Sequence, residues 1–270
     1  MEIFIYTFIF IFGLAIGSLL NCIIHRLFTK ENFLVGKSHC PSCKHTLSWK
    51  DLFPVLSFLI LKGKCRYCSQ RISCQYPLVE LATALLFVLI VNQQLAIHNQ
   101  ELIFLILNIC FLFLVASLLI IIFVYDLKHY IIPDKVIYPA ILVAGSWYLV
   151  ASIFFNIYPR YKLLTTLYSA FLAAAFFLAI VLISRGKGMG VGDIKLAFFM
   201  GLFLGYPKIL VAVFLAFLIG AIIGLVLIGL SKKSLKSEIP FAPFLVFGTF
   251  LAMFWGQQLI DFYFNFFLIK

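Results

Sequence analysis

Residues 102–126 read LIFLILNICFLFLVASLLIIIFVYD. No charged side chain occurs before Asp126, so residues 102–125 form one unbroken apolar run. A helix needs about 20 mainly apolar residues to cross the hydrocarbon core of a bilayer. A barrel strand would instead alternate apolar and polar residues. The stretch therefore predicts a spanning helix that ends on a carboxylate. Similar runs lie near 3–24, 77–92, 136–155, 163–183, 195–206, 208–230 and 241–261. Of these, 195–206 is short and suits a tilted or half-buried segment.

Composition points the same way. The 270 residues are 64% hydrophobic and only 11% charged, with 32 Phe and a mean hydropathy of +1.12. Soluble domains average about 45–50% apolar and about 25% charged. A soluble globule, a disordered chain and a secreted disulfide scaffold are excluded. The fold class expected is an all-α polytopic membrane protein with about eight transmembrane helices. The first span follows Met1-Glu2, which carries no basic residue, and no small-residue cleavage site follows it. It is expected to remain as a span rather than be removed as a signal peptide.

The chain has 21 Lys+Arg against 10 Asp+Glu, a formal net charge of +11. An outside N-terminus puts Arg26, Lys30, Lys37, Lys44, Lys50, Lys62, Lys64, Arg66, Arg71, Lys128, Lys135, Arg185, Lys187, Lys195, Lys232, Lys233 and Lys236 inside. Only Arg160, Lys162, Lys208 and Lys270 are then outside. That satisfies the positive-inside rule with both termini outside. The basic excess thus reports orientation. The lipid bilayer is the expected partner and nucleic acid is not.

Residues 26–76 break the membrane pattern, being polar, basic and rich in Cys and Ser. So short a cytoplasmic segment cannot build a large core and needs a staple. Cys40-Pro-Ser-Cys43 and Cys65-Arg-Tyr-Cys68 supply one, at zinc-ribbon spacing. Two such knuckles complete a tetrahedron of thiolates, and four sulfur ligands leave no open position for catalysis. Reduced unligated thiols, or a redox pair, are the alternative. His39 and His45 flank the first pair and are either substitute ligands or solvated. Cys22 and Cys110 read as packing residues inside spans, and Cys74 as a bystander.

Carboxylates beside the hydrocarbon are costly and mark candidate sites. Asp126 closes the run quoted above. Asp193 ends Gly186-Lys187-Gly188-Met189-Gly190-Val191-Gly192-Asp193. Both fall at the cytoplasmic face in the expected topology. Two adjacent carboxylates share a single proton, so that one activates water while the other protonates a carbonyl oxygen. Glycines leave room for a substrate backbone. A flexible turn with a favourable acid at a helix start explains Asp193 equally well.

In sequence order these features resemble the type IV prepilin peptidases, a family of bacterial membrane aspartic proteases also called leader peptidase/N-methyltransferases. The resemblance runs through Gly17-Ser18-Leu19-Leu20-Asn21-Cys22-Ile23-Ile24-His25-Arg26-Leu27, the tetracysteine loop and Tyr76-Pro77-Leu78-Val79-Glu80-Leu81. It continues through Asp126-Leu127-Lys128-His129-Tyr130-Ile131-Ile132-Pro133-Asp134 and Gly190-Val191-Gly192-Asp193. It ends at Pro240-Phe241-Ala242-Pro243-Phe244, with Ala242 where Gly is usual.

The resemblance implies catalysis by Asp126 and Asp193, with Gly190, Gly192 and Asp134 positioning substrate. It implies cleavage of a short basic leader from prepilins and pseudopilins of type IV pilus or type II secretion systems, in the bacterial inner membrane. The tetracysteine loop marks the bifunctional branch, which also methylates the new N-terminus using S-adenosylmethionine. Gly63, Lys64 and Glu80 are the candidates for that second activity, and Glu80 reads equally as a structural acid. The domains implied are a first transmembrane helix at 1–25, a cytoplasmic zinc-binding domain at 26–76 with Cys40, Cys43, Cys65 and Cys68 as ligands, and a transmembrane aspartic peptidase domain at 77–270.

Glu31, Asp51, Asp134 and Glu238 are the cytoplasmic acids expected to be exposed, and of these Glu238 and Asp134 are the ones expected to contact a basic leader. Gly13-x-x-x-Gly17 and Gly220-x-x-x-Gly224 predict close helix packing. Asn21 and His25 share a helix face and a polar site. A transporter would need intramembrane acids in series and a repeat, neither of which is found. A catalytic-zinc protease lacks its His-Glu-x-x-His. A secretion-system scaffold remains the rival that loses nothing when either aspartate is replaced.

Overall fold

Backbone in lipid must satisfy its own polar groups, so each apolar run closes into a helix. The structure, a computed structural model, describes residues 2–29, 31, 38–96, 101–155, 160–186, 188–230 and 239–267. The long helices are α1 (Glu2–Thr29), α3 (Gln75–Leu95), α4 (Leu102–His129), α5 (Asp134–Phe155), α6 (Arg160–Ile183), α8 (Lys208–Gly229) and α9 (Ala242–Phe267). Among the described residues, these seven are long and apolar enough to cross a membrane. The short sixth span is α7 (Val191–Leu204), whose 14 residues extend about 21 Å against a core of about 30 Å. A 3-10 turn (Trp49–Leu52) and α2 (Leu56–Ile60) lie between α1 and α3. The protein is multi-pass.

The chain forms two compact units, Met1–Ile121 and Ile122–Lys270, with α4 contributing to both. In the first, α1 packs closely along α3. A Cβ on Gly13 would lie 2.5 Å from Ala84 Cα, and one on Gly17 would lie 2.6 Å from Glu80 Cα. Only glycine fits such backbone contact, so this pair does what its spacing predicts. Asn21, buried on α1, donates from Nδ2 to the Tyr76 carbonyl at 3.0 Å and accepts from Gln75 at 3.4 Å. His25 instead meets the His39 ring edge-on. α1 also continues through Arg26 to Thr29, past the boundary drawn at 25/26, because a helix need not stop where hydrocarbon does.

In the second unit, α7 packs on α6 and α8 on α9. A Cβ on Gly201 would lie 2.4 Å from Ala170 Cα, and one on Gly248 would lie 2.4 Å from the Ala212 carbonyl oxygen. Of the expected Gly220/Gly224 pair, only Gly220 meets α9, and it does so through a ring rather than backbone. Gly220 faces the Phe244 ring, and at Gly224 a Cβ would meet nothing within 4 Å. Spacing alone cannot tell which side of a helix faces a neighbour. Phe177, Phe217 and Phe241 cluster between these helices.

Candidate active site

Asp126 sits in the last turn of α4 and Asp193 in the first turn of α7, at 5% and 8% exposure. Two residues of local structure bring the chain back toward the first carboxylate. Tyr130 donates its amide to the Asp126 carbonyl and adopts φ 58, a left-handed turn that ends α4. Pro133 then starts α5, its carbonyl accepting from Val136 and Ile137.

Each carboxylate is held by a backbone amide at a helix start. The Gly190 N–H donates to Asp193 Oδ2 at 3.1 Å, so Asp193 reaches back to cap its own helix. The Ala242 N–H, first in α9, donates to Asp126. Helix N-termini carry unsatisfied donors and partial positive charge, which suits both acids. The two carboxylates are close enough for their charges to interact. Both line one cavity of about 490 Å³, together with Tyr130, Gly188, Gly190 and Phe241.

The two candidate glycines have different surroundings. At Gly190 a Cβ would lie 3.8 Å from the Asp193 carboxylate, so its missing side chain leaves the acid open. At Gly192 a Cβ would press on the Ile132 side chain at 3.1 Å, so this glycine lets the α7 start pack against the segment before α5. Asp134, on the cavity rim, accepts from Lys195 Nζ at 2.6 Å, and that ammonium also lies 4.9 Å from the Tyr138 ring centre. The ion pair ties α5 to α7.

The tetracysteine segment folds as two matched knuckles. In the first, Cys40 donates its amide to the His45 carbonyl, and its own carbonyl accepts from Lys44. In the second, Cys65 donates to Gln70 and accepts from Ser69 in the same pattern. Lys44 and Ser69, each just after the second cysteine of its pair, have φ 58 and 57. All four sulfurs lie within 4.8 Å of one another, with Cys40 and Cys68 3.9 Å apart. A tetrahedral zinc with bonds of about 2.3 Å needs sulfurs about 3.8 Å apart. The residues therefore fit the ion.

Thiol chemistry agrees with that fit. Burial pushes the Cys40 pKa up, but the amides of Cys43 and Ser42 outweigh it and bring it to about 7. The Gln70 amide pulls Cys68 down, yet burial and the other three thiols push it up to about 11. Such a cluster cannot ionise fully without a cation. When bound, zinc would crosslink the knuckles. His45 stacks on Tyr67, with ring centres 3.7 Å apart, bridging the knuckles as a side wall.

Asp51 is not the exposed acid expected. Its side chain is 3% exposed and accepts from Arg66 at 2.7 Å, Tyr67 at 3.2 Å, and Ser48 through both hydroxyl and amide. It clasps the second knuckle to the 3-10 turn, and charge counting cannot reveal such local donors. Glu238 lies outside the described residues. Gly63, at φ 68, faces the Phe58 ring and accepts from Ile72, while Lys64 bridges Arg71 ahead of Cys65. Glu80 engages Val55 N–H at 2.7 Å and the Ser18 hydroxyl. These three candidates have different partners.

Comparison with known proteins follows this layout. Residues 11–94 match the bacterial peptidase A24 N-terminal domain, and residues 113–225 match the type IV leader peptidase family. A Bacillus subtilis (strain 168) relative is 34% identical over 260 residues, covering 95% of this chain and 97% of its own. The chain belongs to the type IV leader peptidase family. It is therefore an enzyme of an aspartic peptidase family. The Bacillus relative is called prepilin leader peptidase/N-methyltransferase. So are a protein of Aeromonas salmonicida (strain A449), 31% identical over 96% of this chain and 93% of its own, and one of Legionella pneumophila, 29% identical over 98% and 96%. No solved structure matches the chain.

Sequence reasoning missed two parts of this site. The Ala242 amide was invisible because a backbone donor has no side-chain signature. Lys195 was counted only toward topology, although its place two residues after Asp193 marked it as a neighbour.

Proposed function

We propose that this enzyme cleaves the short basic leader from prepilins and pseudopilins with an Asp126/Asp193 dyad, then N-methylates the new N-terminus using S-adenosylmethionine. The observation that carries the reading is one cavity holding both acids, each fixed by a helix-start amide. With one proton between them, one carboxylate draws a proton from water as the oxygen attacks the scissile carbonyl. The other gives its proton to the carbonyl oxygen. The amides of Ala242 and Gly190 orient the acids, and the open side at Gly190 admits the peptide backbone.

Positive-inside counting supports an inner-membrane enzyme with both termini outside and the dyad at the cytoplasmic face. Domains at 1–25, 26–76 and 77–270 then divide anchoring, zinc binding and proteolysis. The relatives' names support methyl transfer. Gly63, Lys64 and Glu80 serve it by shaping the tetracysteine segment, and no transfer step is routed through them. Asp134, paired with Lys195, positions the dyad loops.

The test is cleavage of a prepilin by purified enzyme in lipid, beside Asp126→Asn and Asp193→Asn, read by mass spectrometry. Leader loss only with wild type, and a further methyl mass with S-adenosylmethionine, are the expected results. Equal cleavage by either variant would sink the dyad. No cleavage by folded wild type would favour the scaffold.

A further inference from the structure

The segment between α1 and α3 carries an apolar surface that neither proteolysis nor metal binding uses. Trp49, Leu52, Phe53, Leu56, Leu59 and Ile60 are between 40% and 75% exposed. Trp49 and Leu52 lie on the 3-10 turn and Leu56, Leu59 and Ile60 on α2, with Phe53 between the two, its ring 6.2 Å from that of Trp49. Exposed apolar patches of this kind mark contact surfaces. We propose that residues 49–60 lie in the headgroup boundary of an anionic bilayer leaflet as an interfacial wedge.

Three observations select lipid as the occupant. First, the same unit contains the spanning helices α1 and α3. The wedge is moored to α3, because the Val55 amide donates to Glu80 Oε2 at 2.7 Å. Glu80 is the sixth residue of α3, so the mooring lies about 8 Å along the helix from its start. The wedge is therefore held near one end of a spanning helix.

Second, the rim is basic. Lys50 and Lys62 are exposed, and Lys50 Nζ lies 5.6 Å from the Trp49 ring centre. The one acid between residues 45 and 62, Asp51, is turned into its own hydrogen bonds. Each Lys near an anionic surface adds about 1 kcal/mol of attraction. A basic leader peptide would be repelled by the same rim.

Third, Trp and Phe beside Lys is the composition that settles at membrane interfaces, apolar body inward and charge in water.

Trp49 is itself the probe. In the full chain with Trp147→Phe and Trp255→Phe it is the sole tryptophan. The protein is placed in nanodiscs of phosphatidylcholine, or of an equimolar mixture with phosphatidylglycerol. Quenching by lipids brominated high on the acyl chain is compared with quenching by acrylamide. The expected result is strong quenching by brominated lipid, protection from acrylamide, and more of both on the anionic discs. Lys50→Ser with Lys62→Ser should weaken the wedge's hold on the anionic surface by about 30-fold. Acrylamide quenching without brominated-lipid quenching overturns the proposal. So does shielding from both, which would mean that protein covers the patch. Equal quenching on neutral and anionic discs overturns the anionic assignment. Hydrogen exchange of residues 49–60 in the unsubstituted chain, in the same discs, gives an independent reading should the tryptophan variants not fold; equal exchange in both lipids counts against the proposal.

Discussion

Replacing Gly192 with Ala sets two small effects against each other at the dyad. A Cβ there would lie 3.1 Å from Ile132 Cβ and 3.3 Å from its Cγ1 and Cδ1, so something must yield by a few tenths of an ångström. Alanine favours a helix interior over glycine by about 1 kcal/mol, and less in a first turn. Mild overpacking costs about the same. Stability should therefore change by less than about 1 kcal/mol.

Activity should change more. A displacement of about 1 Å at a reacting group costs about 100-fold, so a few tenths should lower kcat about 4-fold, with KM little altered. Ile132→Val removes Cδ1, one of the three atoms in contact, and should restore part of the loss in the double variant. The assay is steady-state prepilin cleavage by the four proteins of the cycle, with thermal unfolding in the same detergent. A Gly192→Ala enzyme with wild-type kcat, or two substitutions whose effects simply add, would refute the idea that Gly192 is there to admit Ile132.

Gly201→Ala should destabilise the protein by about 3 kcal/mol or more, because the new Cβ meets Ala170 and Ser169 backbone that cannot yield. Gly224→Ala, with open space around it, should be neutral or stabilising, and thermal unfolding reads both. Metal analysis of the full chain should find one zinc per molecule, and Cys40→Ser should lose it. Asp51→Asn removes acceptors from charged and neutral donors and should speed zinc release to a chelator about 30-fold at neutral pH, with the half-exposed Arg66 contributing little. Burial raises the Asp51 pKa, but the bonds from Ser48, Arg66 and Tyr67 outweigh it and hold it below the usual range. Its stabilisation is therefore present above the unfolded value of about 3.9 and fades as pH falls below it. Protonation of the thiolates releases zinc before that range is reached, so the gap between wild type and variant should persist across the pH range in which the ion is held.

The spans, the two candidate carboxylates and the cysteine set were legible because each depends on local chemistry: uncharged length, rare acids beside lipid, and fixed Cys spacing; that Asp126 and Asp193 line one cavity was implied only by the resemblance. What sequence could not give was direction. Gly224 and Gly248 look alike in a string, yet only Gly248 meets a facing backbone. Asp51 read as a solvated acid until Ser48, Arg66 and Tyr67 were seen around it. The apolar surface at 49–60 was hidden because residues 26–76 were judged on their average polarity.

Anchoring both acids through main-chain donors separates the geometry of the dyad from the identity of the residues that supply it. Any amino acid except proline brings the same amide. At position 242, buried without exposed surface, the constraint is then size alone. Exchanging Ala242 for Gly would thus leave the anchor to Asp126 intact. Side-chain substitutions at 190 and 242 report on space around the acids, and only changes to the peptide bond itself, such as an ester in place of the amide, will isolate the anchors.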